Sequence, residues 1–492
     1  MSSSPPAVAT PEAIARYEPV IGLEVHVQLA TATKIFCGCP TSFGAPPNTN
    51  VCPVCLGLPG ALPVLSREAV ELAIKGALAL DCRINPKSRF ARKNYFYPDL
   101  PKGYQISQYD EPLGEHGYVD IVVDGAARRI GVTRVHMEDD AGKSIHDGFR
   151  DSDRYSYVDL NRCGTPLAEI VTEPDMRSSD EAFAFLTALK QVLQFVEVST
   201  CDMEKGHLRC DANVSVRIKG AEKLGTKAEV KNLNSFRFLK QALDYEIARQ
   251  VGVIEGGGKV EQETRLYNPD LGETAGMRSK EQAHDYRYFP EPDLVPLRIG
   301  EKWLAEVRAK MPELPARKRA RFIGEYGLRE YDAEVLTATR AVSEYYETAA
   351  KVSGDPKTAA NWVMGDLMGL LKAEGKEIAE SPVGPENLGE LVKLIAKGEL
   401  SGKLAKEVFP KMFSTGERAG VIVEREGLRQ ISDTGALEKI IADVIAGNPR
   451  QVEQYKGGKT TVINFLVGQA MRATRGQANV ALVTDLFRQK LG

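Results

Sequence analysis

Apolar and polar residues alternate along several segments in roughly the first 300 residues, a pattern typical of half-buried β-strands. The alternation is strict over residues 21–29, so Glu24 and His26 lie on the same polar face of one strand. A second such strand is predicted over 208–217, and its polar face carries Asp211. Further strands are predicted over residues 118–123, 129–136 and 227–231.

Helical periodicity appears between these strands and then takes over the rest of the chain. Helices are predicted over residues 67–80, 179–196, 235–251, 303–310, 315–325, 332–352 and 356–374, with a run of short helices after them. Strands and helices mix in the first part without a regular βαβ rhythm. This mixture predicts the α+β class, with an antiparallel sheet in the N-terminal domain.

The same patterns predict how the chain is divided. Residues 1–16 are expected to be a disordered lead-in. An antiparallel-sheet domain with a zinc knuckle is predicted over 17–298, an all-α helical domain over 299–380 and a small all-α tail domain over 386–492. The Pro, Gly and Ser residues at 381–385 have the composition of a hinge.

Composition is that of an ordinary globular protein, with 43% hydrophobic and 27% charged residues and a formal net charge of −3 over 492 residues. This charge excludes a globally basic protein, so any contact with a polyanion must use a local basic patch. The N-terminus lacks the basic and apolar regions of a signal peptide, and no apolar run approaches the ~20 residues that span a bilayer. We therefore expect a cytoplasmic protein without membrane association.

Two cysteine pairs, Cys37 with Cys39 and Cys52 with Cys55, lie close together near the N-terminus. Their CxC and CxxC spacing lets two short loops supply four thiolates to one tetrahedral Zn²⁺ in a closed structural site. A redox-active CxxC pair and ordinary buried thiols are the alternatives. The remaining cysteines are scattered singly, which is typical of intracellular proteins and favours zinc.

Acidic residues recur on or beside the predicted strands, and some adjoin a histidine. The strand face with Glu24 and His26 is one example, and the segment His-Met-Glu-Asp-Asp at 136–140 is another. Hard oxygen ligands from several strands are what Mg²⁺ bound to a nucleotide requires. The candidates for such an acidic basin are Glu24, His26, Glu138, Asp139, Glu169, Asp202, Glu204 and Asp211.

Basic residues with aromatic or glycine neighbours are candidates for contacts with nucleotides. Lys93 lies in the stretch 92–104, where cations, aromatic residues and prolines are interleaved as in sites for single-stranded RNA ends. A rigid surface loop is the alternative. After residue 434, eight basic and four acidic residues give a local charge of +4, which fits a phosphate-binding patch or a solvated helical surface. The candidates for that patch are Lys456, Lys459, Arg472 and Arg475.

Long motifs, in a fixed order over almost the whole chain, resemble the B subunits of the bacterial glutamyl/aspartyl-tRNA amidotransferases. Besides the four-cysteine knuckle, the matching segments are 21–26, 93–99, 159–162, 209–213, 229–235, 285–293, 360–367, 465–469 and 474–476. The resemblance implies that ATP phosphorylates the side-chain carboxylate of a mischarged Glu-tRNA(Gln) or Asp-tRNA(Asn). Ammonia then displaces phosphate and leaves Gln or Asn on the tRNA.

The resemblance also implies partners. A separate glutaminase (amidase) subunit would release ammonia from glutamine, and a small third subunit would join the two in a heterotrimer with an internal ammonia tunnel. The chain itself lacks the Gly-Gly-Ser-Ser-Gly run of an amidase nucleophile, in agreement with that division of labour. We therefore expect the isolated chain to be inactive as a full amidotransferase.

The implied cofactors are ATP, Mg²⁺ and a structural Zn²⁺ on the four cysteines. The residues implied around the Mg²⁺ and transamidation site are Glu24, His26, Glu138, Asp139 and Glu169. Lys93 would lie near the tunnel exit, and Asp139 stands where many relatives carry Glu. Asp202, Glu204 and Asp211 are further candidates for the basin that binds the nucleotide, and the tail domain would contact tRNA.

Two other classes of protein compete with this interpretation. A zinc-knuckle RNA-binding protein without catalysis needs basic and aromatic residues but no acidic basin. A ligase of the glutamine-synthetase type, acting on a free amino acid, needs the basin but no basic tail.

Overall fold

A computed structural model describes residues 8–279, 283–430, 434–474 and 477–492. The chain forms two compact units, Met1–Leu314 and Pro315–Gly492. The strands, all in the first unit, are β1 (Tyr17–Gln28), β2 (Arg83–Ile84), β3 (Lys87–Ser88), β4 (Ala91–Asn94), β5 (Tyr104–Ser107), β6 (Gly114–Val123), β7 (Ala126–Asp139), β8 (Lys143–Ile145), β9 (Tyr157–Asp159), β10 (Pro166–Thr172), β11 (Leu208–Ile218), β12 (Ala228–Lys231), β13 (Glu263–Asn268), β14 (Glu273–Ser279), β15 (Phe289–Pro290) and β16 (Leu297–Arg298). The helices of this unit are α1 (Pro11–Ile14), α2 (Arg67–Ala79), α3 (Ser179–Phe195), α4 (Phe236–Glu255) and α5 (Glu301–Ala309).

Nine strands form the main sheet, in the order β14-β13-β12-β11-β1-β10-β7-β6-β2. All neighbouring strands in it are antiparallel except β12 and β13. Smaller sheets join β15-β4-β5, β16-β3 and β8-β9. The prediction of an α+β chain with an N-terminal antiparallel sheet is confirmed.

Helices cover one face of the main sheet and leave part of the other face open. α2, α3 and α4 pack on the covered face. Val25 and Val27 of β1 point to it and are fully buried, each contributing roughly 1.5–3 kcal/mol of stability by leaving water. Glu24 and His26 alternate to the opposite face and stay partly accessible.

The segment before β1 differs from the predicted disordered lead-in as far as the structure describes it, which is from residue 8 onward. The Thr10 hydroxyl accepts a hydrogen bond from the backbone N–H of Ala13 and caps α1. The backbone N–H of Ala9 donates to the carbonyl of Ala248 on α4. A cap and a tertiary contact therefore order residues whose composition suggests disorder.

The second unit is helical. Its helices are α6 (Pro315–Tyr326), α7 (Glu330–Leu336), α8 (Arg340–Ser353), α9 (Pro356–Asn361), α10 (Met368–Glu374), α11 (Pro385–Ala396), α12 (Gly402–Thr415), α13 (Ala419–Glu426), α14 (Thr434–Gly447), α15 (Pro449–Lys456), α16 (Ile463–Ala473) and α17 (Val480–Leu491). No helix in the described part of the chain combines the length and the apolarity needed for a bilayer crossing.

One helix prediction in this unit is wrong and another needs refinement. The single helix predicted over 332–352 is two helices, because the Thr339 hydroxyl accepts from the N–H of Val342 and caps a new helix start. The helix predicted over 356–374 is continuous, but Trp362–Leu367 winds as a π-helix between α9 and α10.

The predicted domain limits stay predictions, and two structural features bear on them. The helix α5 packs on α2 of the first unit, where the indole N–H of Trp303 donates to Glu71 at 2.8 Å. In the second unit one hydrophobic cluster spans 322–423 and another 437–491. The first of these crosses the predicted hinge, because Val383 is buried and its carbonyl accepts from the Tyr345 hydroxyl at 2.7 Å.

Gly389 allows α11 to approach α8 closely, and we expect Gly389→Ala to destabilise the second unit. An added Cβ would lie 2.7 Å from the Cβ of Val352 and 2.9 Å from the carbonyl oxygen of Ala349. The expected loss is about 1–3 kcal/mol of unfolding free energy, measured by thermal or denaturant unfolding. Gly369→Ala is the control, because Gly369 is exposed and no atom lies within 4 Å of its added Cβ. Equal stability of the two variants would contradict this packing.

Candidate active site and zinc knuckle

The central strands of the sheet bring four ionisable side chains together on the open face. His26 on β1 pairs with Glu169 on β10, and Glu169 pairs with His136 on β7. Glu138 lies two residues beyond His136 on the same face of β7. We call these four residues the His-Glu cluster.

The imidazoles and carboxylates of the His-Glu cluster are in mutual contact. His26 Nε2 lies 3.3 Å from Glu138 Oε1 and 3.2 Å from Glu169 Oε2. His136 Nε2 lies 3.6 Å from Glu138 Oε2 and 3.4 Å from Glu169 Oε2. One ligand atom from each of His26, Glu138 and Glu169 lies within 4.8 Å of the others, a spacing that could hold a metal ion.

These contacts shift the pKa values of the cluster in opposite directions. Burial alone would lower the pKa of His26, but hydrogen bonds to Glu138 and Glu169 outweigh burial and raise it to about 10. The pKa of His136 is raised for the same reason. Burial would raise the pKa of Glu138 and of Glu169, but the two histidines hold both well below the usual range. The two buried carboxylates and the two imidazoles thus each favour the charged form of the other.

A cavity of about 570 Å³ lies over the His-Glu cluster. The other charged residues of its wall are Glu24, Lys93, Arg134, Asp140, Arg162, Arg209, Asp211, Lys227, Glu229 and Lys231. Its tyrosines are Tyr95, Tyr97, Tyr109, Tyr286 and Tyr288. The rings of Tyr109 and Tyr288 stack with their centroids 4.2 Å apart. The cavity therefore offers charges of both signs and flat aromatic surfaces.

Lys93, on β4, lies in this wall as a partly buried ammonium. Its Nζ lies 4.9 Å from the ring centroid of Tyr286. Burial would lower the pKa of Lys93, but the charges of Glu138 and Glu169 outweigh burial and raise it. Lys93 therefore carries a fixed positive charge that faces the cluster.

Glu24 and Asp211 lie in the same cavity, beside the cluster. They are paired directly across β1 and β11. Glu24 Oε1 accepts a hydrogen bond from the side-chain amide of Asn213 at 2.9 Å, and Asp211 forms a 2.6 Å ion pair with Lys231. The predicted site residues that the fold brings into this one cavity are Glu24, His26, Lys93, Glu138, Glu169 and Asp211.

Asp139 does not share that cavity, contrary to the expectation from its place beside Glu138. Successive residues of a strand point to opposite faces, so Asp139 points away from the cluster. It is fully buried, forms an ion pair with Lys102 and accepts a hydrogen bond from the backbone N–H of Ile106 at 2.7 Å. It lines a separate pocket of about 110 Å³ beside Cys37.

Asp202 and Glu204 also lie outside the cavity that holds the cluster. They occupy the loop before β11, where Asp202 Oδ1 accepts a hydrogen bond from the backbone N–H of Glu204 at 3.0 Å. Asp202 forms an ion pair with Lys205 at 3.1 Å. Both acidic residues line a different cavity together with Lys190. The expectation that they belong to the basin is wrong, because the polar face of β11 begins after this loop.

The four cysteines converge as their spacing predicts. Their sulfur atoms all lie within 4.8 Å of one another, and the Sγ atoms of Cys52 and Cys55 are 3.9 Å apart. A tetrahedral Zn²⁺ with Zn–S bonds of ~2.3 Å needs sulfur atoms about 3.8 Å apart. All four are free thiols, so the donor set fits zinc and contains no disulfide.

Cys55 is the most buried of the four, and its surroundings favour the thiolate. A hydrogen bond from the Cys37 thiol, the backbone N–H of Cys52 at 3.2 Å and the positive charge of Lys34 lower the pKa of Cys55 to about 4. The thiolate is the form that binds zinc. The knuckle therefore presents a ligand that needs little energy to deprotonate.

The predicted phosphate-binding residues of the tail are exposed where the structure describes them. Lys456 ends α15, Lys459 follows it and Arg472 lies on α16. Arg475 lies outside the described residues.

Sequence reasoning missed three features of the cavity. His136 was not assigned to the site, although it stands two residues before Glu138 on a predicted strand, and this spacing was the available signal. Ser107 donates to Glu138 at 3.2 Å, and nothing in the local sequence indicates this contact. Arg209 reaches Asp140 at 2.7 Å, an ion pair that forms only when β11 and β7 share one sheet.

Comparison with known families covers most of the chain. Residues 19–305 match the family described as the GatB/GatE catalytic domain, and residues 344–491 match the family described as the GatB domain. The first match contains the His-Glu cluster and the knuckle, and the second contains the basic tail.

Individual relatives are similar over nearly their whole length. The chain is 56% identical over 475 residues to the B subunit of the aspartyl/glutamyl-tRNA(Asn/Gln) amidotransferase of Carboxydothermus hydrogenoformans, an alignment that covers 96% of this chain and 99% of that protein. The proteins of the same name from Syntrophotalea carbinolica and Geobacter sulfurreducens are each 57% identical to this chain. Those alignments cover 97% and 96% of this chain and 99% of each relative.

We expect Cys52→Ser to abolish stoichiometric zinc binding and to destabilise the first unit by about 3 kcal/mol or more, because loss of a structural metal is among the largest single-residue effects. Elemental analysis and thermal unfolding measure the two effects. Cys82→Ser is the control, because Cys82 is buried outside the cluster and its variant should keep zinc. A Cys52→Ser protein without zinc but with wild-type stability would contradict a structural role.

Proposed function

The chain belongs to the GatB/GatE family, and on that basis we propose that it catalyses ATP-dependent amidation of Glu-tRNA(Gln) and Asp-tRNA(Asn). The products are Gln-tRNA(Gln) and Asn-tRNA(Asn). The observation that best supports this chemistry in the chain itself is the His-Glu cluster in a cavity with cations and aromatic side chains.

The reaction needs two chemical steps because a carboxylate is a poor electrophile. The side-chain carboxylate oxygen attacks the γ-phosphorus of ATP, a P–O bond breaks and ADP leaves. Ammonia then attacks the carbonyl carbon of the acyl phosphate, phosphate leaves with the C–O electron pair, and the nitrogen loses a proton. Both steps move negative charge between oxygens, so the site must supply positive charge at fixed positions.

The His-Glu cluster and its neighbours would hold the divalent cation. Glu138 and Glu169, with Glu24 nearby in the same cavity, supply the hard carboxylate oxygens that fit Mg²⁺, and His26 would have to lose its proton to join them as a ligand. Mg²⁺ bound there would supply positive charge to the triphosphate oxygens of ATP. Asp211 extends the acidic wall beyond Glu24, where the nucleotide would lie.

Lys93 is one of the positive charges that the protein itself supplies to this cavity. Its ammonium faces Glu138 and Glu169, whose negative charges raise its pKa and keep it protonated. We assign it to the phosphate that leaves the acyl intermediate, because that phosphate departs as an anion close to the cluster. The same wall lies at the end of the ammonia path that the family resemblance implies.

The partners follow from what the reaction consumes. Only a small fraction of ammonia in neutral bulk water is unprotonated, so a glutaminase subunit that delivers it directly would make the reaction efficient at low ammonium concentration. A small linking subunit would complete a heterotrimer with the two catalytic subunits. The complex would act in the cytoplasm, where tRNA is aminoacylated.

The tail would hold the tRNA body. Lys456 and Arg472 are exposed on short helices after residue 434 and Lys459 is exposed between them, in a region where the net charge is positive. Contacts of this kind bind phosphates without reading sequence.

We expect Glu138→Gln to lower amide formation at least ~100-fold, because the variant keeps the shape of the side chain but removes a ligand and a charge from the cluster. The assay is conversion of Glu-tRNA to Gln-tRNA by the reconstituted complex with ATP and an ammonium salt, which bypasses the glutaminase. tRNA affinity should stay within about twofold of wild type.

The matched control for that variant is Glu173→Gln. Glu173 is an exposed glutamate just beyond β10, and it accepts a hydrogen bond from Thr133 away from the cavity wall. It should leave amide formation nearly unchanged. Wild-type turnover of Glu138→Gln would refute the assignment.

Charge reversal at Lys456 and Lys459 tests the tail. The double Lys→Glu variant should weaken tRNA binding and reduce the dependence of the binding constant on salt by about one unit of slope for each lost phosphate contact. Filter binding at several salt concentrations measures both. Lys223→Glu, an exposed lysine of the first unit, is the control, and an equal effect of both changes would remove the tail from tRNA recognition.

A further inference from the structure

Lys34 is a fully buried lysine beside the four-cysteine knuckle. It is 0% exposed, and its Nζ donates to the carbonyl of Asn50 at 2.6 Å and lies 3.6 Å from Cys55 Sγ. Over the residues that the structure describes, Lys34 forms no ion pair with a carboxylate. Its charge must be compensated by something else, because an isolated ammonium in the interior is strongly unfavourable.

The other buried lysine near the knuckle shows the contrast. Lys102 lines the pocket beside Cys37 and Cys55, and Asp139 neutralises it. The sulfur of Cys55 occupies the position next to the Lys34 ammonium that the Asp139 carboxylate occupies next to Lys102. Four thiolates around one Zn²⁺ leave two negative charges in excess, and the part of that charge on the buried Cys55 is the least accessible to solvent.

Lys34 also connects the two halves of the knuckle. Its backbone N–H donates to the carbonyl of Cys39 in the first cysteine pair at 2.9 Å. Its side chain reaches Asn50 and Cys55 in the second half. Gly164, at φ +84°, leaves room for this route, because a Cβ there would lie 3.3 Å from the Cβ of Cys55 and 3.5 Å from Cδ of Lys34.

We propose that Lys34 is the buried counter-ion of the zinc-thiolate site and donates a hydrogen bond to the Cys55 thiolate. It neutralises half of the excess negative charge and lowers the electron density on the most buried sulfur. The inference rests on zinc occupying the four cysteines and does not depend on the amidation reaction.

Two variants of the full-length chain separate charge from packing. Lys34→Met keeps the length of the side chain and removes the charge, whereas Lys34→Gln removes the charge but keeps a donor for the carbonyl of Asn50. Competition with a chromogenic chelator should show zinc bound about 10–100-fold more weakly in both, the range for loss of a group that supports a metal ligand. Lys223→Met, on the surface of the same unit, should bind zinc like the wild type.

A comparison of the melting temperatures of the zinc-bound and the zinc-free protein distinguishes a charge role of Lys34 from a packing role. A packing role predicts that Lys34→Met lowers the melting temperature equally with and without zinc. The counter-ion role predicts a larger loss with zinc bound than after chelation, because the zinc-thiolate site carries two excess negative charges, whereas the metal-free cluster regains protons and leaves Lys34 less negative charge to compensate. In the cobalt-substituted protein, the thiolate-to-cobalt charge-transfer band should shift to longer wavelength when the hydrogen bond to Cys55 is removed.

The outcomes divide cleanly. Weaker zinc binding together with the zinc-dependent stability difference supports the proposal. Zinc affinity within about twofold of wild type in a folded variant overturns it, as does failure of both variants to fold even in excess zinc, which would assign Lys34 to general packing. A wild-type chain that binds no zinc would overturn the metal site and the role of Lys34 together, leaving the proposed amidation untouched.

Discussion

The register of β1, β10 and β7 is the constraint on which the rest of the structure depends. His26 lies opposite Glu169, and Glu169 lies opposite His136, only in this register. A slip of one residue on any of these strands would turn its charged side chains into the helix-covered core and its apolar side chains toward the cavity. The long pairing of β1 with β11 and the burial of Val25 oppose such a slip. Burial on one face of the sheet therefore fixes the chemistry on the other.

Charge compensation is the second rule of this interior. The carboxylates of the His-Glu cluster are balanced by imidazoles, Asp139 by Lys102, and the fully buried Glu246 by Arg249 and Arg265. Removing one partner of such a buried pair typically costs about 3–5 kcal/mol, since the other charge is left uncompensated. The first unit can therefore hold many buried charges, on both sides of the sheet, without unfolding. Because the carboxylates of the His-Glu cluster already have histidine partners, a divalent cation that enters the cavity must compete with the positive charge on His26 and His136.

Sequence periodicity predicted which side chains share a face of a strand, but it could not predict contacts made by loops, helix caps or strands that are distant in the sequence. Alternation alone placed Glu24 and His26 on one face, and the cysteine spacing alone predicted the knuckle. Asp139 was grouped with Glu138 because the two are adjacent in the sequence, although adjacent strand residues point apart. Asp202 and Glu204 are acidic, as a metal site requires, but they lie on a loop before β11. The helical pattern continues through Thr339, although the structure has a helix break there and Thr339 caps the start of α8. Contacts between distant strands, such as Arg209 with Asp140, leave no local signal.

The knuckle and the cavity lie on opposite sides of the contact between β5 and β7, two strands that belong to different sheets. β5 contacts β7, and these strands exchange contacts on both faces: Ser107 donates to Glu138 on the cavity side, and the backbone N–H of Ile106 donates to Asp139 on the knuckle side. Lys102, just before β5, completes the knuckle side through its ion pair with Asp139. A shift of the knuckle would displace Asp139 and therefore the adjacent Glu138. A metal ion on the four cysteines would in this way help to hold Glu138 of the His-Glu cluster in position from outside the cavity.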